Sequence, residues 1–377
     1  MRRSTACAIA LCASSLSDQS AISAHAVCSR QKTILITGAA GFIGTNVVRA
    51  CIEAGYCVVA LDWYPEHYTF EPNIAHKITW ITGDYGDTHL VKQLLKNNPV
   101  DIIIHLGAFI EVGRSVHDPL PFYENNLAKS IVLLKTALES GITKIVFASS
   151  AAVYGTPDQS ILTEDCPVAP INPYGHTKYM FEQVLHDAEK AYGIVAVILR
   201  FFNVGGAVGV NGINVTRSAP THLIPRVLGA AMTRTPLIVN GTDFPTPDGT
   251  CVRDYVHVAD VAQAIVDAIT YLKKSNPEPI TCNIASGIGH SVLEVLECAQ
   301  EVIKNDDKKI LAILGDRRSG DPAQLIASIK NARQKLGWNP RQSNLSTIIG
   351  SAYYALTHTA ITPTLTEPNS TQNKELS

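Results

Sequence analysis

Short apolar runs recur along the chain from Lys32 onward: TILIT at 33–37, CVVAL at 57–61, Ile78 to Thr82, DIIIH at 101–105, KIVFA at 144–148 and VAVIL at 195–199. Uninterrupted runs of this length suit strands covered on both faces, because a strand with one wet face alternates apolar with polar residues. Between the first two runs, Phe42, Ile43, Val47, Val48, Cys51 and Ile52 recur at helical spacing, and 87–96 and 126–140 can form similar stripes. Strand, helix, strand repetition predicts an α/β chain with a doubly wound parallel sheet over 32–203. After Asn203 the rhythm breaks into Gly- and Pro-rich stretches at 204–220 and 241–249, with helical patterns at Val258 to Leu272 and Ser291 to Lys304. Residues 204–358 are therefore expected to form mainly a smaller C-terminal α/β lobe, and the polar residues 359–377, with little to bury, a disordered tail.

Composition narrows the function classes. With 377 residues, 46% apolar and only 17% charged, the chain can bury two lobes. A formal net charge of -2 offers no field to gather nucleic acid or an anionic membrane, so any phosphate must be held locally. No run reaches the roughly 18 apolar residues that span a bilayer. Nine scattered cysteines, without Cys-x-x-Cys or zinc-site spacing, point to mostly packing thiols in a reducing compartment, to no metal, and to a cytoplasmic location. Met1-Arg2-Arg3 precedes a short apolar run, Ala6 to Ala13, with an Ala-x-Ala-like stretch near Ser23 to Ala26. That run is short and ends at Ser14 and Ser15, so 1–31 is expected to be an unstructured leader or a mis-called start rather than a working address.

The first strand runs into Gly38-Ala39-Ala40-Gly41-Phe42-Ile43-Gly44, and the apolar helical stripe begins inside that loop. A glycine pattern between strand and helix is the Rossmann dinucleotide fingerprint. Gly38 permits the tight turn, Gly41 admits the pyrophosphate, and Gly44 lets the helix pack on the sheet. Phe42 and Ile43 then open a helix whose free N–H groups face the phosphates. Asp62 closes the second strand at the distance expected for an acid on the adenosine ribose, which argues for NAD over NADP. Asp84, after the third strand, is placed to reach the adenine amino group, although Gly83-Asp84 also makes an ordinary turn.

Ser149-Ser150 follows the fifth run, and Tyr174-Gly175-His176-Thr177-Lys178 lies further on. On a helix, Tyr174 and Lys178 share a face. An ammonium near a phenol is expected to lower its pKa and make a base, with Ser150 relaying the proton of a substrate hydroxyl. With SSAAVYG (149–155), LRFFNVGGA (199–207), GTDFPTPDGTCVRDYVHVADVA (241–262) and RRSGDPAQLIA (317–327), residues from Lys32 to about Leu356 resemble the UDP-glucose 4-epimerase family of the extended short-chain dehydrogenase/reductases.

The resemblance implies epimerisation of a UDP-hexose at C4 through a transient 4-keto sugar, with tightly bound NAD. It implies Ser150 and Tyr174 as the catalytic pair, Lys178 on the nicotinamide ribose, and Asn125 on the nicotinamide side, where a helix cap competes as its role. It also implies Asn203, Arg253, Arg318 and Asp321 on the UDP-sugar, and a homodimer formed by the helices at 126–140 and 174–192, with Ile131, Leu134 and Leu138 as an apolar face or as core. Three residues depart from the pattern of some members: Ile110 stands for a lysine near the phosphates, Ala152 for a hydroxyl residue on the sugar, and Leu325 for a bulky tyrosine. UDP-GlcNAc, UDP-arabinose and UDP-glucuronate thus remain alternative substrates. A 4,6-dehydratase would need an acid pair after Ser150, where Ala151 and Ala152 stand. A non-catalytic NAD sensor could dispense with Tyr174 and Lys178, and both are present.

Overall fold

All six apolar runs are strands of one sheet: β1 (Thr33–Thr37), β2 (Cys57–Asp62), β3 (Ile78–Thr82), β4 (Val100–His105), β5 (Lys144–Ser150) and β6 (Val195–Phe201). Their order is β6-β5-β4-β1-β2-β3, with every neighbouring pair parallel. The computed structural model describes residues 32–64, 70, 72–209, 222–304, 309–317 and 321–358, so the expected leader and tail lie outside the described residues. Every side chain of β1 is buried, as its unbroken apolar run requires. β3 is only half buried, because it is the sheet's edge and the helices on either face cover it incompletely. The strand order reverses between β1 and β4, and the crevice beyond the carboxyl ends of such strands is where open α/β sheets take ligands.

Helices cover both faces. The expected apolar stripe is α1 (Phe42–Glu53), and α2 (Thr88–Asn97) begins at Asp87, whose side chain accepts from His89 and Leu90 N–H. The stripe at 126–140 opens as a π-helical turn, Tyr123–Ala128, before continuing as α3 (Lys129–Glu139). Asn172 caps α4 (Pro173–Tyr192) by accepting from Gly175 N–H, and Pro173 at the first position suits a helix start. Residues of α2, α3 and α4 pack one face of the sheet.

Beyond Asn203 the chain builds β7 (Asn203–Gly205), α5 (Leu223–Thr233), β8 (Leu237–Asn240) and β9 (Val252–His257), then α6 (Val258–Leu272) and β10 (Ile280–Ile284). These last two return to the large sheet. β10 pairs in parallel with β6 as a seventh strand, and α6, buried on nearly every side, packs with α1 on the other face. The smaller lobe is completed by β11 (Gly289–Ser291), α7 (Val292–Ile303), β12 (Ala312–Gly315), β13 (Gln324–Leu325) and α8 (Leu345–His358). β9 is its hub, pairing with β7, β11 and β13, while β8 and β12 form a separate parallel pair. Ser291 and Glu294 form a reciprocal capping box that fixes the start of α7.

Asp254 of β9 ties the two sheets together. Its fully buried carboxylate accepts from Ser286 N (2.7 Å), Ser286 Oγ (2.6 Å) and Gly287 N (2.9 Å) where β10 exits, and from Ala327 N (3.2 Å) past β13. Burial outweighs these four donors and pushes the carboxyl up to about 6. Cys51, Cys166, Cys251, Cys282 and Cys298 are free thiols. Cys57 is disulfide-bonded. Among the described residues no helix is long and apolar enough to cross a membrane.

Candidate active site

The glycine loop lies at the switch point. Gly38 has φ +70°, and a Cβ there would come within 2.7 Å of Gly107 N, just beyond β4, so the two loops need a glycine to approach this closely. A Cβ on Gly44 would collide with the Gly38 carbonyl. Gly41 precedes Phe42 and Ile43 as an N-cap with no side-chain bond, and the first turn of α1 holds no acid. The helix thus presents open N–H groups and the positive end of its dipole to an anion. Asp62 leans on the loop, with Oδ2 accepting from Ala40 N (3.0 Å) and Oδ1 from Tyr64 N (3.2 Å). Each carboxylate oxygen keeps a second lone pair for a ribose hydroxyl.

Two further expected cofactor residues stand in informative surroundings. Asn125 lies in the π-helical turn, almost fully buried, and its Nδ2 donates to Asn126 Oδ1 (3.1 Å) while its Oδ1 has no partner. A buried amide oxygen left unbonded is costly and marks a place for a donor on a ligand. Asp84 accepts from Gly86 N (2.8 Å) and is ion-paired to Lys129 (2.6 Å), whose ammonium lies 5.3 Å from the centre of the Trp63 ring. The glycine cradle, the open helix end and the orphaned Asn125 oxygen together fit a dinucleotide. Lys129 and Trp63 join this end of the site without having been marked in the sequence. The position of Trp63 directly after Asp62 was the available signal.

The residues expected to handle the proton converge where β5 meets α4. Ser150 ends β5 and its hydroxyl accepts from Ala152 N (3.2 Å). The Ser150 side chain also lies close enough to the Tyr174 phenol to lower its pKa, and it alone opposes the rise that burial imposes there. Lys178, fully enclosed, donates to Ala148 O (2.8 Å), with its ammonium 5.0 Å from the Phe147 ring centre and 6.0 Å from that of Tyr174. Burial pulls Lys178 down to about 7. The expected lowering of the Tyr174 pKa is therefore reversed in the chain itself: desolvation disfavours the charged form of both groups and, at Tyr174, outweighs the effect of Ser150.

Beneath this cluster lies a buried polar layer that spacing arguments passed over. His105, pulled down to about 3 by burial and by Lys178, is a neutral link whose Nδ1 meets Thr37 Oγ1 (2.7 Å) and whose Nε2 meets Ser130 Oγ (2.8 Å). Glu182, one helical turn after Lys178, is held by Ser149 and Arg200.

Among the residues expected to hold the substrate, Arg253 donates to Asp321 Oδ1 (2.6 Å) and to Val252 O (2.8 Å), so these two form one pair. Asn203 opens β7 opposite Tyr255 of β9, two residues along from Arg253. Leu325, half buried, pairs in register with Arg253. Arg318 lies outside the described residues. Its neighbour Arg317 pairs with Asp243 and stacks 4.1 Å from the centre of the Phe244 ring. Among the described residues no group of three or more His, Cys, Asp or Glu is gathered to hold a metal.

Comparison with known proteins agrees with this geometry. Residues 34–285 match the model of the NAD dependent epimerase/dehydratase family. A UDP-glucose 4-epimerase of Azospirillum brasilense is 41% identical over 320 residues, covering 85% of this chain and 90% of that protein. The crystal structure of the UDP-glucose 4-epimerase of Bifidobacterium longum in complex with NAD+ and UDP superposes with a TM-score of 0.79 at 33% identity, covering 86% and 98% of the two chains. The UDP-Glc/GlcNAc 4-epimerase of Campylobacter jejuni does so with a TM-score of 0.73 at 34% identity, covering 86% and 98%.

Proposed function

The chain belongs to the NAD dependent epimerase/dehydratase family, and from that premise we propose that Ser150, Tyr174 and Lys178 carry out the interconversion of UDP-glucose and UDP-galactose. The enzyme is an NAD-dependent UDP-glucose 4-epimerase, an isomerase. One observation carries the assignment of roles: Ser150 at the end of β5, a buried phenol and a buried lysine whose ammonium lies 6.0 Å from that phenol's ring centre gather at the carboxyl end of the sheet, where the glycine loop also lies.

When bound, NAD supplies a reversible hydride acceptor for sugar C4. Tyr174 takes the proton of the 4-hydroxyl and Ser150 relays it, as general acid/base catalysis requires. Lys178 as ammonium favours the phenolate and holds the nicotinamide ribose. Gly38, Gly41, Phe42, Ile43 and Gly44 seat the pyrophosphate, Asp62 the adenosine ribose, Asp84 the adenine and Asn125 the nicotinamide side. Arg253 and Arg318 grip the diphosphate through guanidinium forks, with Asp321 and Asn203 on the rest of the nucleotide and sugar. Held by its UDP end, the 4-keto sugar turns over, and Tyr174 returns the proton as C4 is reduced on its other face.

Turnover of UDP-Glc, UDP-GlcNAc and UDP-arabinose in parallel, with the bound nucleotide identified by mass, tests this reading. Interconversion of UDP-Glc and UDP-Gal on retained NAD supports it, and inertness to UDP-Glc overturns it. A second reading, acceptance of N-acetylated hexoses, is favoured by the slim, half-buried Leu325 beside Arg253, and absence of UDP-GlcNAc turnover contradicts it. The enzyme is proposed to be a cytoplasmic homodimer. Ile131 of α3 (40% exposed) and Met180 of α4 (40%) point outward, whereas Leu134 (6%) belongs to the core. Sedimentation at micromolar concentration gives a dimer mass if these helices pair, and a monomer mass if they do not.

A further inference from the structure

The layer behind the proposed catalytic trio is an ion pair in full burial. Glu182 is 0% and Arg200 5% exposed. Arg200 grips the carboxylate with both arms of its fork, Nη2 to Oε2 (2.7 Å) and Nε to Oε1 (3.1 Å). Ser149, the residue before Ser150, donates its hydroxyl to the same Oε1. The fork itself is anchored, since Arg200 Nη1 donates to Tyr154 OH (3.0 Å) and Glu164 O (3.3 Å), and Tyr154 OH donates to Asn283 Oδ1 (2.7 Å) on β10. A buried ion pair adds little net stability over apolar side chains of the same shape, so stability alone does not account for it.

Its location suggests what does. Glu182 follows Lys178 by one turn of α4, and Ser149 follows Ala148, the carbonyl that Lys178 bonds. The Lys178 ammonium, bonded to Ala148 O, and the Glu182 carboxylate, bonded to Ser149, are thus held against successive residues of β5. The remaining groups around Lys178 bring no competing charge. His105 from β4 is neutral, β5 offers the Phe147 ring and the Ala148 carbonyl, Arg200 from β6 is spent on Glu182, and Tyr174 on the same helix is a phenol held neutral by burial. Glu182 is the charged group whose field acts on Lys178 against burial.

We propose that Glu182, clamped by Arg200 and Ser149, is a positioning residue for epimerisation: its carboxylate keeps Lys178 an ammonium and so maintains positive charge beside Tyr174. This rests on the reading of Tyr174 as the base. Without the carboxylate, Lys178 gives up its proton at lower pH, and Tyr174, losing a charged neighbour, ionises at higher pH. The two changes act on opposite limbs of a bell-shaped rate profile.

The test compares wild type, Glu182→Gln and the charge-balanced Glu182→Gln/Arg200→Met in two measurements. One is the pH dependence of kcat with UDP-galactose. The other is phenolate absorbance, taken as the difference between each protein and its Tyr174→Phe counterpart, which needs no turnover. The expected result is a bell narrowed from both sides by about 1 pH unit, with Tyr174 ionising at higher pH, in both variants. A fall in kcat with both limbs and the Tyr174 titration at their wild-type positions would make the pair a structural strut and overturn the proposal. Should the single variant fail to fold, the balanced one decides. A wild type inert to UDP-galactose would sink the functional reading, while the absorbance titration would still decide the effect of Glu182.

Discussion

Tyr174 and Lys178 face the same physical problem from opposite signs. Burial raises the phenol and depresses the ammonium, so each is pushed toward its neutral form. The consequence for stability has a definite sign. Because Lys178 titrates near 7 in the folded chain and at 10.5 when unperturbed, its buried charge weighs fully against folding below about 7, and the penalty fades as pH rises toward 10.5. Lys178→Met removes that penalty, so thermal unfolding should show it gaining more Tm relative to wild type at pH 6 than at pH 10; a pH-independent difference contradicts the assignment. Tyr174→Phe keeps the ring and removes the proton carrier. It should lower kcat by about 10²- to 10⁴-fold while leaving the retained nucleotide in place, as steady-state rates and nucleotide content will show. The spacing of Tyr174 and Lys178 is plain in one dimension. The layer behind them was not legible, because Glu182, Arg200 and Tyr154 meet only after α4, β6 and the turn at Ala151–Tyr154 have packed.

Among elements, those with an apolar run or stripe were readable, the half-buried edge strand β3 included, and those defined by partners far along the chain were not. β1, β2 and β4 to β6 announce themselves through unbroken apolar runs, and α1 through its stripe. The return of α6 and β10 to the large sheet left no local mark, since ITCNI could serve as a strand in either lobe until β6 supplied its partner. The π-helical turn at Tyr123–Ala128 is likewise a tertiary product, with Tyr85 OH bonded to Asn125 O (2.7 Å) and Asn126 Nδ2 to Phe109 O (2.9 Å). The glycine loop is the element on which cofactor retention depends. Gly38→Ala combines a left-handed φ with a close approach to the Gly107 backbone. It should lose more than about 1 kcal/mol of stability and release its nucleotide during purification, as thermal melts and absorbance of the filtrate will report. Retention at wild-type stability would mean that the loop is looser than its geometry implies.

Across the whole molecule, the proposed function depends on the large sheet and the β9 sheet keeping register, because the glycine loop and Ser150 sit on one and Arg253 on the other. Asp254 is the latch between them, with partners 32 to 73 residues away in the chain, a separation that no local pattern encodes. Asp254→Asn presents an amide N–H to buried donors, and at pH 7 it should cost about 1 to 3 kcal/mol and raise KM for UDP-glucose more than it lowers kcat. An unchanged KM would detach the latch from substrate binding. In the proposed reaction hydride leaves C4 and comes back to it within one enzyme. UDP-galactose carrying deuterium at C4, incubated with catalytic enzyme in ordinary water, measures this directly by NMR. The expected product is UDP-glucose with all of the deuterium still on C4 and no net change in the cofactor. Loss of the label to solvent, or accumulation of reduced cofactor in step with product, would contradict it.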